Sequence, residues 1–251
     1  MSFKTADSAA GKEASDRMPI NGRYEYKYFC TAMQAQMIKS RIQCFMQLDE
    51  HVSQTGSYNV RSLYFDDIFN SGYHANENGT EPRDKFRIRV YDNDASCIFL
   101  EKKQKCRGIT IKDACILSME QAQGLICGEE IECRSEFPLL LNEFLARNKR
   151  QKLSPVVIVD YDRIPYTYPL GNVRVTFDQN VASSNQVSKF FDLQIAKRPI
   201  LESGRQIMEV KWDNFLPDYV KQTLQTGSLP RTAFSKYYYC RKFSLSSGVL
   251  L

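Results

Sequence analysis

The sequence has few histidines and lacks the short motifs that mark the common catalytic folds. Its 251 residues include 2 His and 1 Trp. It contains no Gly-x-x-x-x-Gly-Lys-Ser/Thr phosphate loop, no Gly-x-Gly-x-x-Gly dinucleotide motif and no Gly-x-Ser-x-Gly turn. His51 and His74 lie in segments without regular periodicity, where surface positions are the simplest interpretation. The sequence therefore does not support a Ser-His-Asp or Cys-His mechanism.

The cysteines and the apolar segments also exclude several classes of protein. The 8 Cys include no Cys-x-x-Cys pair, and Cys44 and Cys240 lie in apolar patterns, where a reduced cysteine behaves as a small hydrophobic residue. No apolar run approaches the roughly 18 residues of a membrane span, and the first twenty residues lack the apolar core of a signal peptide. These absences predict reduced thiols, no membrane span and a cytoplasmic protein.

Composition and charge predict one β-rich domain. The 14 Tyr and 15 Phe favour strands, and all-β barrels of this length are often single domains. A net charge of +5 is too small to indicate a nucleic-acid partner unless one surface concentrates it. Residues 1–21, rich in small and charged residues without periodicity, are predicted to be a disordered leader before a domain at 22–251.

Charged residues alternate strictly with aromatic or apolar residues in several segments. The first reads Arg-Tyr-Glu-Tyr-Lys-Tyr-Phe over residues 23–29. Successive side chains of a strand point to opposite faces, so each such segment has a charged face and an apolar face. The other segments are Lys85 to Tyr91, Ile98 to Lys105, Val173 to Phe177 and Arg205 to Trp212.

These charged faces have two interpretations. A single half-buried strand ordinarily turns its charges to water. Taken together, however, the faces carry Arg and Lys with single glutamates and almost no Ser, Thr or Gln. If the sheet closes with the charges inward, the product is a cationic tunnel with a few carboxylates, suited to a polyanion and a metal ion.

The remaining periodicities predict helices and further strands. Thr31 is predicted to cap a helix, and Asp92-Asn93-Asp94 is predicted to turn a hairpin. The stretches Asn70 to Pro82 and Gly108 to Lys112 are expected to be loops. The other predicted helices are Ser118 to Leu125, Phe137 to Lys149, Leu216 to Leu224 and Ala233 to Phe243; the other predicted strands are Tyr58 to Phe65, Pro155 to Arg163 and, as a short one, Lys189 to Gln194.

A series of short motifs, in order from about residue 22 to 243, resembles a known family. They are Arg-x-Glu-x-Lys at 23–27, Ser62-Leu63-Tyr64-Phe65-Asp66, Arg87-Ile88-Arg89, Leu100-Glu101-Lys102-Lys103, Val-Arg-Val-Thr-Phe-Asp around Arg174, Met208-Glu209-Val210-Lys211 and Phe234-Ser235-Lys236-Tyr237. Together they resemble the VTC-type polyphosphate polymerase domain of the triphosphate tunnel metalloenzymes.

The resemblance implies an α+β fold: a closed, antiparallel, eight-stranded β-tunnel with helices packed on its outside. It implies a polyphosphate kinase-type phosphotransferase that uses Mn²⁺ or Mg²⁺ to pass the terminal phosphoryl group of ATP, or of another nucleoside triphosphate, to inorganic polyphosphate. Carried over by motif, the catalytic phosphate contacts are Lys27, Arg87, Arg89, Lys103, Arg174 and Lys236; the further substrate contacts are Arg61, Lys211 and Ser235; and the metal ligands are Glu209, with Glu25 and Glu101 in reserve.

Alternative functions remain at this point. A non-catalytic module that binds polyphosphate or triphosphate needs the cations but no metal carboxylate. An inorganic triphosphatase is disfavoured because hydrolytic members begin Glu-x-Glu-x-Lys, whereas Arg23 replaces the first glutamate here. A nucleic-acid partner is not expected, since the charged faces lack aromatic platforms for single strands.

Overall fold

The alternating segments form strands of one antiparallel sheet, in a computed structural model that describes residues 22–52, 56–224 and 229–247. The predicted leader at 1–21 lies outside the described residues. The strands are β1 (Tyr24–Thr31), β2 (Gln47–Leu48), β3 (Tyr58–Asp66), β4 (Arg83–Tyr91), β5 (Asp94–Cys106), β6 (Ile109–Leu117), β7 (Ser154–Tyr168), β8 (Val173–Ser184), β9 (Arg198–Pro199) and β10 (Arg205–Trp212). Eight of them follow the order β1-β10-β8-β7-β3-β4-β5-β6, while β2 pairs with β7 and β9 with β8.

Six α-helices accompany the sheet in the described residues. They are α1 (Ala32–Ile42), α2 (Ser71–Glu77), α3 (Met119–Cys127), α4 (Leu139–Gln151), α5 (Asp218–Leu224) and α6 (Lys236–Ser247). Thr31 caps α1 as predicted, and its hydroxyl and the Gln34 side chain form a reciprocal capping box. In the described residues, no helix has both the length and the apolar character to cross a bilayer.

The sheet curls but does not close, so the predicted closed tunnel is wrong on this point. The edge strands β1 and β6 meet at a single bridge between Arg23 and Thr110. Farther along β1, the free edge is occupied by the segment before α6: Arg231 bridges Tyr28, and the Thr232 amide donates to the Lys27 carbonyl at 2.8 Å. Because this segment takes the hydrogen bonds of β1, β6 cannot continue the ladder.

Apolar residues cover the convex face, where helices pack as the parity predicts. Ile88 lies in a core with α3 and α4 that includes Phe144 and Leu141. Val175 and, at its margin, Tyr26 belong to a second core with α1 and α5.

Helix α6 is an exception to the prediction that the helices pack outside. Its Tyr237 and Cys240 pack with Val159 and Ile207, which lie on the concave face. The helix therefore fills one end of the curled sheet from within.

Three local predictions fail for identifiable reasons. Residues predicted as loops form α2 and β6. Helix α2 is short, and the Asp66 carboxylate caps it by accepting from the amides of Gly72 and Tyr73. Strand β6 is an edge strand, and its consecutive charged residues Lys112 and Asp113 interrupt the alternation of polar and apolar residues that would predict a strand. The segment predicted as a strand from Lys189 to Gln194 follows the 3₁₀ turn Val187–Lys189 and forms a turn and a bend, with the ring of Phe190 in the core.

Two neighbouring leucines of α4 test how the helix docks. Leu141 is fully buried and Leu139 is 89% exposed. We expect Leu141→Ala to lower the free energy of unfolding by about 2–5 kcal/mol, because it leaves a cavity between α4 and the sheet. Leu139→Ala is the matched control and is expected to cost less than about 0.5 kcal/mol. Chemical denaturation of both variants checks this; equal losses would mean that α4 docks through another face.

Candidate functional site

Strand parity places charged side chains on the concave face of the sheet. The register pairs Lys27 with Glu209, Arg87 with Glu101 and Lys211 with Arg174, so the alternating charges of neighbouring strands share one face. The cations on this face are Lys27, Arg83, Lys85, Arg87, Arg89, Lys103, Lys105, Lys112, Arg163, Arg174, Arg205 and Lys211 from the strands and Lys236 from α6; the strand carboxylates include Glu25, Glu101, Asp178 and Glu209, and Asp49 and Glu81 pair with Arg174 and Lys105 from neighbouring segments. The cations greatly outnumber the carboxylates.

The buried end of the face is organised around Glu209. Its carboxylate lies 2.8 Å from Lys236 Nζ, 3.0 Å from Lys211 Nζ, 3.5 Å from Arg163 Nη2 and 3.7 Å from Lys27 Nζ. Asp178 supports the arrangement from β8, because it binds the Arg163 guanidinium through two oxygens at 2.7 and 2.8 Å and Lys236 at 2.5 Å. We call this group the Glu209 cluster: Glu25, Lys27, Arg163, Asp178, Glu209, Lys211 and Lys236.

A second group lies on β4, β5 and β6 around Glu101, which is 1% exposed. The Glu101 carboxylate pairs with Arg87 at 2.6 Å and Lys112 at 2.5 Å, and Arg89 lies 3.4 Å from it. Hydroxyl groups from β3 orient the arginines: Arg87 donates to Tyr64 at 2.7 Å and Arg89 to Ser62 at 3.0 Å. We call Arg87, Arg89, Glu101 and Lys112 the Glu101 cluster.

Lys103 connects the two clusters across the sheet. Lys103 lies on β5 beside the Glu101 cluster, and its ammonium reaches Glu25 on β1 at 2.9 Å. Side chains thus cross the gap that the backbone ladder leaves between the two edges. The ring of Tyr161 lies 4.8 Å from Lys236 Nζ and 5.2 Å from the Arg163 guanidinium carbon. The predicted cations Lys27, Arg87, Arg89, Lys103 and Lys236 therefore line one continuous face.

Exposure rises from one end of this face to the other. The side chains of Glu209 and Lys236 are 6% and 9% exposed, whereas Lys103 and Lys112 are 33% and 47% exposed. Arg174 lies toward the open end at 30%, where it binds Asp49 at 3.0 Å and the Tyr58 hydroxyl at 3.1 Å. A polyanion can therefore enter from the open end and reach the buried cations.

The electrostatic environment keeps the carboxylates charged. Burial opposes ionisation of Glu209, but Lys211, Lys236, Lys27 and Arg163 hold its pKa well below the usual value. The pKa of Glu101 is likewise lowered, against its burial, by Arg89, Arg87 and Lys112. The clusters are therefore ion pairs and not neutral hydrogen-bonded groups.

Two predicted substrate contacts lie in other environments. Arg61 points to the convex face, is 1% exposed, and binds Asp160 at 2.9 Å and the Phe190 carbonyl at 3.1 Å. The prediction that Arg61 contacts substrate is therefore wrong. Arg61 and its neighbour Ser62 point to opposite faces of β3, and Arg61 instead anchors the segment around Phe190. Ser235 accepts from the Tyr238 amide at 3.3 Å, so its hydroxyl caps α6 beside the site.

The structure also brings in cations and a carboxylate that the sequence analysis did not select. Lys112 lies in a segment predicted as a loop. Arg163 lies at the end of the predicted strand Pro155 to Arg163, in which the other residues of the same parity are apolar or aromatic. Asp178 was recoverable, since it shares the parity of Arg174 and ends the same motif. Lys85, two residues before Arg87, was recoverable by the same reasoning; its ammonium lies 4.5 Å from the centre of the Tyr237 ring.

The model of the VTC domain family matches residues 22–245. The chain belongs to the VTC domain family. No curated protein matches the chain. The match covers every residue of both clusters, so the concave charged face lies wholly within the VTC domain.

Several solved structures show weaker similarity to this VTC domain. The PH1819 protein from Pyrococcus horikoshii OT3 is 11% identical, with a TM-score of 0.47 over 88% of this chain and 99% of that chain. A candidate adenylate cyclase from Bacillus halodurans is 14% identical, with a TM-score of 0.46 over 81% and 88% of the two chains. The Mimivirus capping enzyme triphosphatase is 10% identical, with a TM-score of 0.34 over 82% and 90%. At these scores the similarities carry no conclusion about function.

The carboxylates of the VTC domain fit a divalent metal to different degrees. Glu101 and Glu209 are both held in ion pairs, the first by three cations and the second by four. Glu209 and Glu25 share Lys27 and offer hard oxygen donors. The Thr176 hydroxyl, register partner of Glu209, is buried without a hydrogen-bond partner, so an unsatisfied oxygen lies beside this carboxylate. In the described residues, no three Asp, Glu, His or Cys side chains form a metal cage.

The pKa of Lys103 generates a testable pH dependence. Although the side chain is 33% exposed, desolvation of its ammonium group, opposed by Glu25 and reinforced by Lys27 and Lys211, lowers the pKa of Lys103 to about 8. Lys103 is charged below this pH and neutral above it, and a bound polyanion favours the charged form. Tripolyphosphate affinity is therefore expected to fall as the pH rises from 7 to 9, and binding near pH 8 should take up protons. Calorimetry in buffers of different ionisation enthalpy measures this uptake.

Lys103→Arg is the control for this pH effect, because a guanidinium stays charged throughout the range. The variant should bind tripolyphosphate with a shallower pH dependence and less proton uptake than the wild type. Titration of the ligand itself is common to both proteins and cancels in the comparison. Identical pH profiles would show that Lys103 does not titrate near 8.

The lowered pKa of Lys103 also affects the stability of the protein without ligand. Between the lowered pKa and the ordinary value for lysine, the unfolded chain keeps the proton on Lys103 and the folded protein does not. The contribution of Lys103 therefore makes the free energy of unfolding rise with pH in this range.

Proposed function

We propose that this VTC domain is a metal-dependent polyphosphate polymerase that transfers the terminal phosphoryl group of ATP to a growing polyphosphate chain. The observation that carries the proposal is the excess of fixed cations on the concave face, arranged from an open end to a buried end. Phosphoryl transfer needs mainly positioning and neutralisation of charge on oxygen, which arginine and lysine supply. Membership of the VTC domain family supports the same reaction class.

The phosphate contacts are assigned from this arrangement. Lys103, Lys112 and Arg174 attract the polyanion at the open end; Arg87 and Arg89 bind phosphates farther along; and Lys27, Lys211 and Lys236 bind at the buried end. Each contact between unit charges is worth about 1 kcal/mol in water and roughly 4 at an intermediate dielectric. The carboxylates hold the cations in position before the ligand arrives, so little reorganisation is needed on binding.

Glu209, with Glu25 beside it, would hold Mn²⁺ or Mg²⁺ through carboxylate oxygens, the donors that these hard cations prefer. The metal supplies neutralisation of the charge that develops on the transferred group. Lys236 and Lys27 already contact Glu209, and they would keep its carboxylate oriented toward the metal ion. Glu101 keeps the separate role of orienting Arg87 and Arg89.

A non-catalytic polyphosphate-binding module is the second candidate, and a specific observation favours it. Every carboxylate of the two clusters is paired with protein cations. Such pairing preorganises a binding face without any metal. An inorganic triphosphatase is less favoured, because Arg23 stands at the position of a glutamate and binds Asp213 at 2.9 Å, near the bridge to Thr110.

Incubation of purified protein with ATP and Mn²⁺ separates these functions. We expect long polyphosphate on a gel, together with ADP in equal amount to the phosphate incorporated. Free phosphate alone would indicate a triphosphatase. Binding of ATP without any turnover, over a range of Mn²⁺ and Mg²⁺ concentrations, would favour the binding module and contradict the polymerase.

Substitution of Glu209→Gln tests the assignment of the metal. The amide retains the shape but loses the charge that holds a hard divalent ion, so polyphosphate synthesis is expected to be abolished while ATP binds within about tenfold of the wild type. The variant leaves buried cations less well neutralised, so its melting temperature without ligand should fall.

Glu101→Gln is the matched control for Glu209→Gln, since it removes an equally buried carboxylate from the other cluster. It should lower stability in the same way and, through Arg87 and Arg89, raise the KM for ATP, but its turnover should keep its metal dependence when measured below its own melting temperature. Melting curves with saturating tripolyphosphate show that both variants are folded during the assay. An active Glu209→Gln protein would remove Glu209 as the metal ligand.

A further inference from the structure

We propose that the apolar end of the concave face, formed by Tyr91, Phe99 and Ile116, binds the base of a nucleoside triphosphate whose phosphates lie on the Glu101 cluster. The inference rests on the proposed function, because it assigns a position to the nucleoside of that substrate. It adds a base-binding subsite to a face whose other assigned contacts are to phosphate.

The apolar residues continue the charged face without interruption. Phe99 is the register partner of Arg89 on one side and of Ile116 on the other. Glu101 lies two residues along β5 on the same face, about 7 Å away at the rise of an antiparallel strand. This spacing leaves room for a sugar between phosphates on the Glu101 cluster and a base over Phe99.

The exposure of these side chains is unusual for apolar residues on a charged face. Ile116 is 62% exposed, and Phe99 and Tyr91 are half-buried. The rings of Tyr91 and Phe99 are 6.0 Å apart in an edge-to-face contact, and the Arg89 guanidinium carbon lies 5.8 Å from the centre of the Tyr91 ring. An inorganic phosphate chain gains nothing from such a surface, whereas a planar base can stack on it.

The chemistry of the platform predicts its selectivity. Stacking on aromatic rings and on a guanidinium tolerates any base, because every base presents a π-face. The subsite should therefore distinguish nucleoside triphosphates from inorganic tripolyphosphate, and discriminate only weakly among the bases. This part of the affinity should also persist at high salt, whereas the phosphate contacts weaken.

Calorimetric titration of ATP and of inorganic tripolyphosphate, each with Mg²⁺, tests the subsite. Phe99→Ala is expected to weaken ATP binding by about tenfold while tripolyphosphate binding changes little. Ile116→Ala should have a smaller effect of the same kind, and it acts at an exposed position where folding is not at risk. Ile116→Trp should strengthen ATP binding alone, because it enlarges the platform.

Ile68→Ala is the matched control, since Ile68 is 69% exposed and lies between β3 and α2, outside the strands of the sheet. It should change neither affinity. Parallel losses for ATP and tripolyphosphate in the Phe99 and Ile116 variants, or unchanged ATP binding in both, would overturn the subsite. Those results leave tripolyphosphate bound to the wild type; failure of tripolyphosphate itself to bind would instead overturn the proposed function.

Discussion

The placement of Glu209 among four cations is the constraint on which the rest of this structure depends. Lys27, Lys211, Arg163 and Lys236 come from three strands and a helix, and each contacts this one buried carboxylate. Buried charges of one sign repel and are costly to desolvate unless they are paired. The carboxylate therefore permits a dense group of cations inside the fold. It also fixes α6, because Lys236 can reach Glu209 only if the helix begins within the curled sheet.

The position of α6 explains why the sheet remains open. The segment that leads into the helix bonds to the edge of β1 at Lys27 and Tyr28, and the Phe234 carbonyl accepts from Lys27 Nζ at 2.9 Å. A backbone ladder from β6 would have to occupy the same edge. The ion pair between Glu25 and Lys103 joins the two sides instead. The opening is thus a consequence of bringing Lys236 into the site.

Much of this arrangement was predictable from local pattern, because side-chain parity in a strand is a local property. The alternation over residues 23–29, 85–91 and 205–212 places Lys27, Arg87 and Glu209 on one face without knowledge of the topology. Closure depends on the tilt and stagger of all the strands together, which no single segment determines. The prediction for Arg61 failed although local pattern could have prevented it. The family resemblance suggested that Arg61 contacts phosphate, whereas its position next to Ser62 in the strand directs its side chain to the convex face.

Cations that face one another inside a fold repel unless carboxylates or hydrogen bonds pair with them. The structure shows that Arg87 and Arg89 are bound to Glu101 and to hydroxyls of β3. A phosphate that binds Arg87 or Arg89 must share the arginine with Glu101 or displace that carboxylate. The affinity for phosphate therefore depends on the excess of cations over carboxylates, and not on the number of cations alone. Lys103 and Lys112 are the most exposed of the paired lysines in the two clusters and at their junction. Their pairs involve the least buried ammonium groups, and an incoming polyanion should therefore engage them before it reaches Lys236.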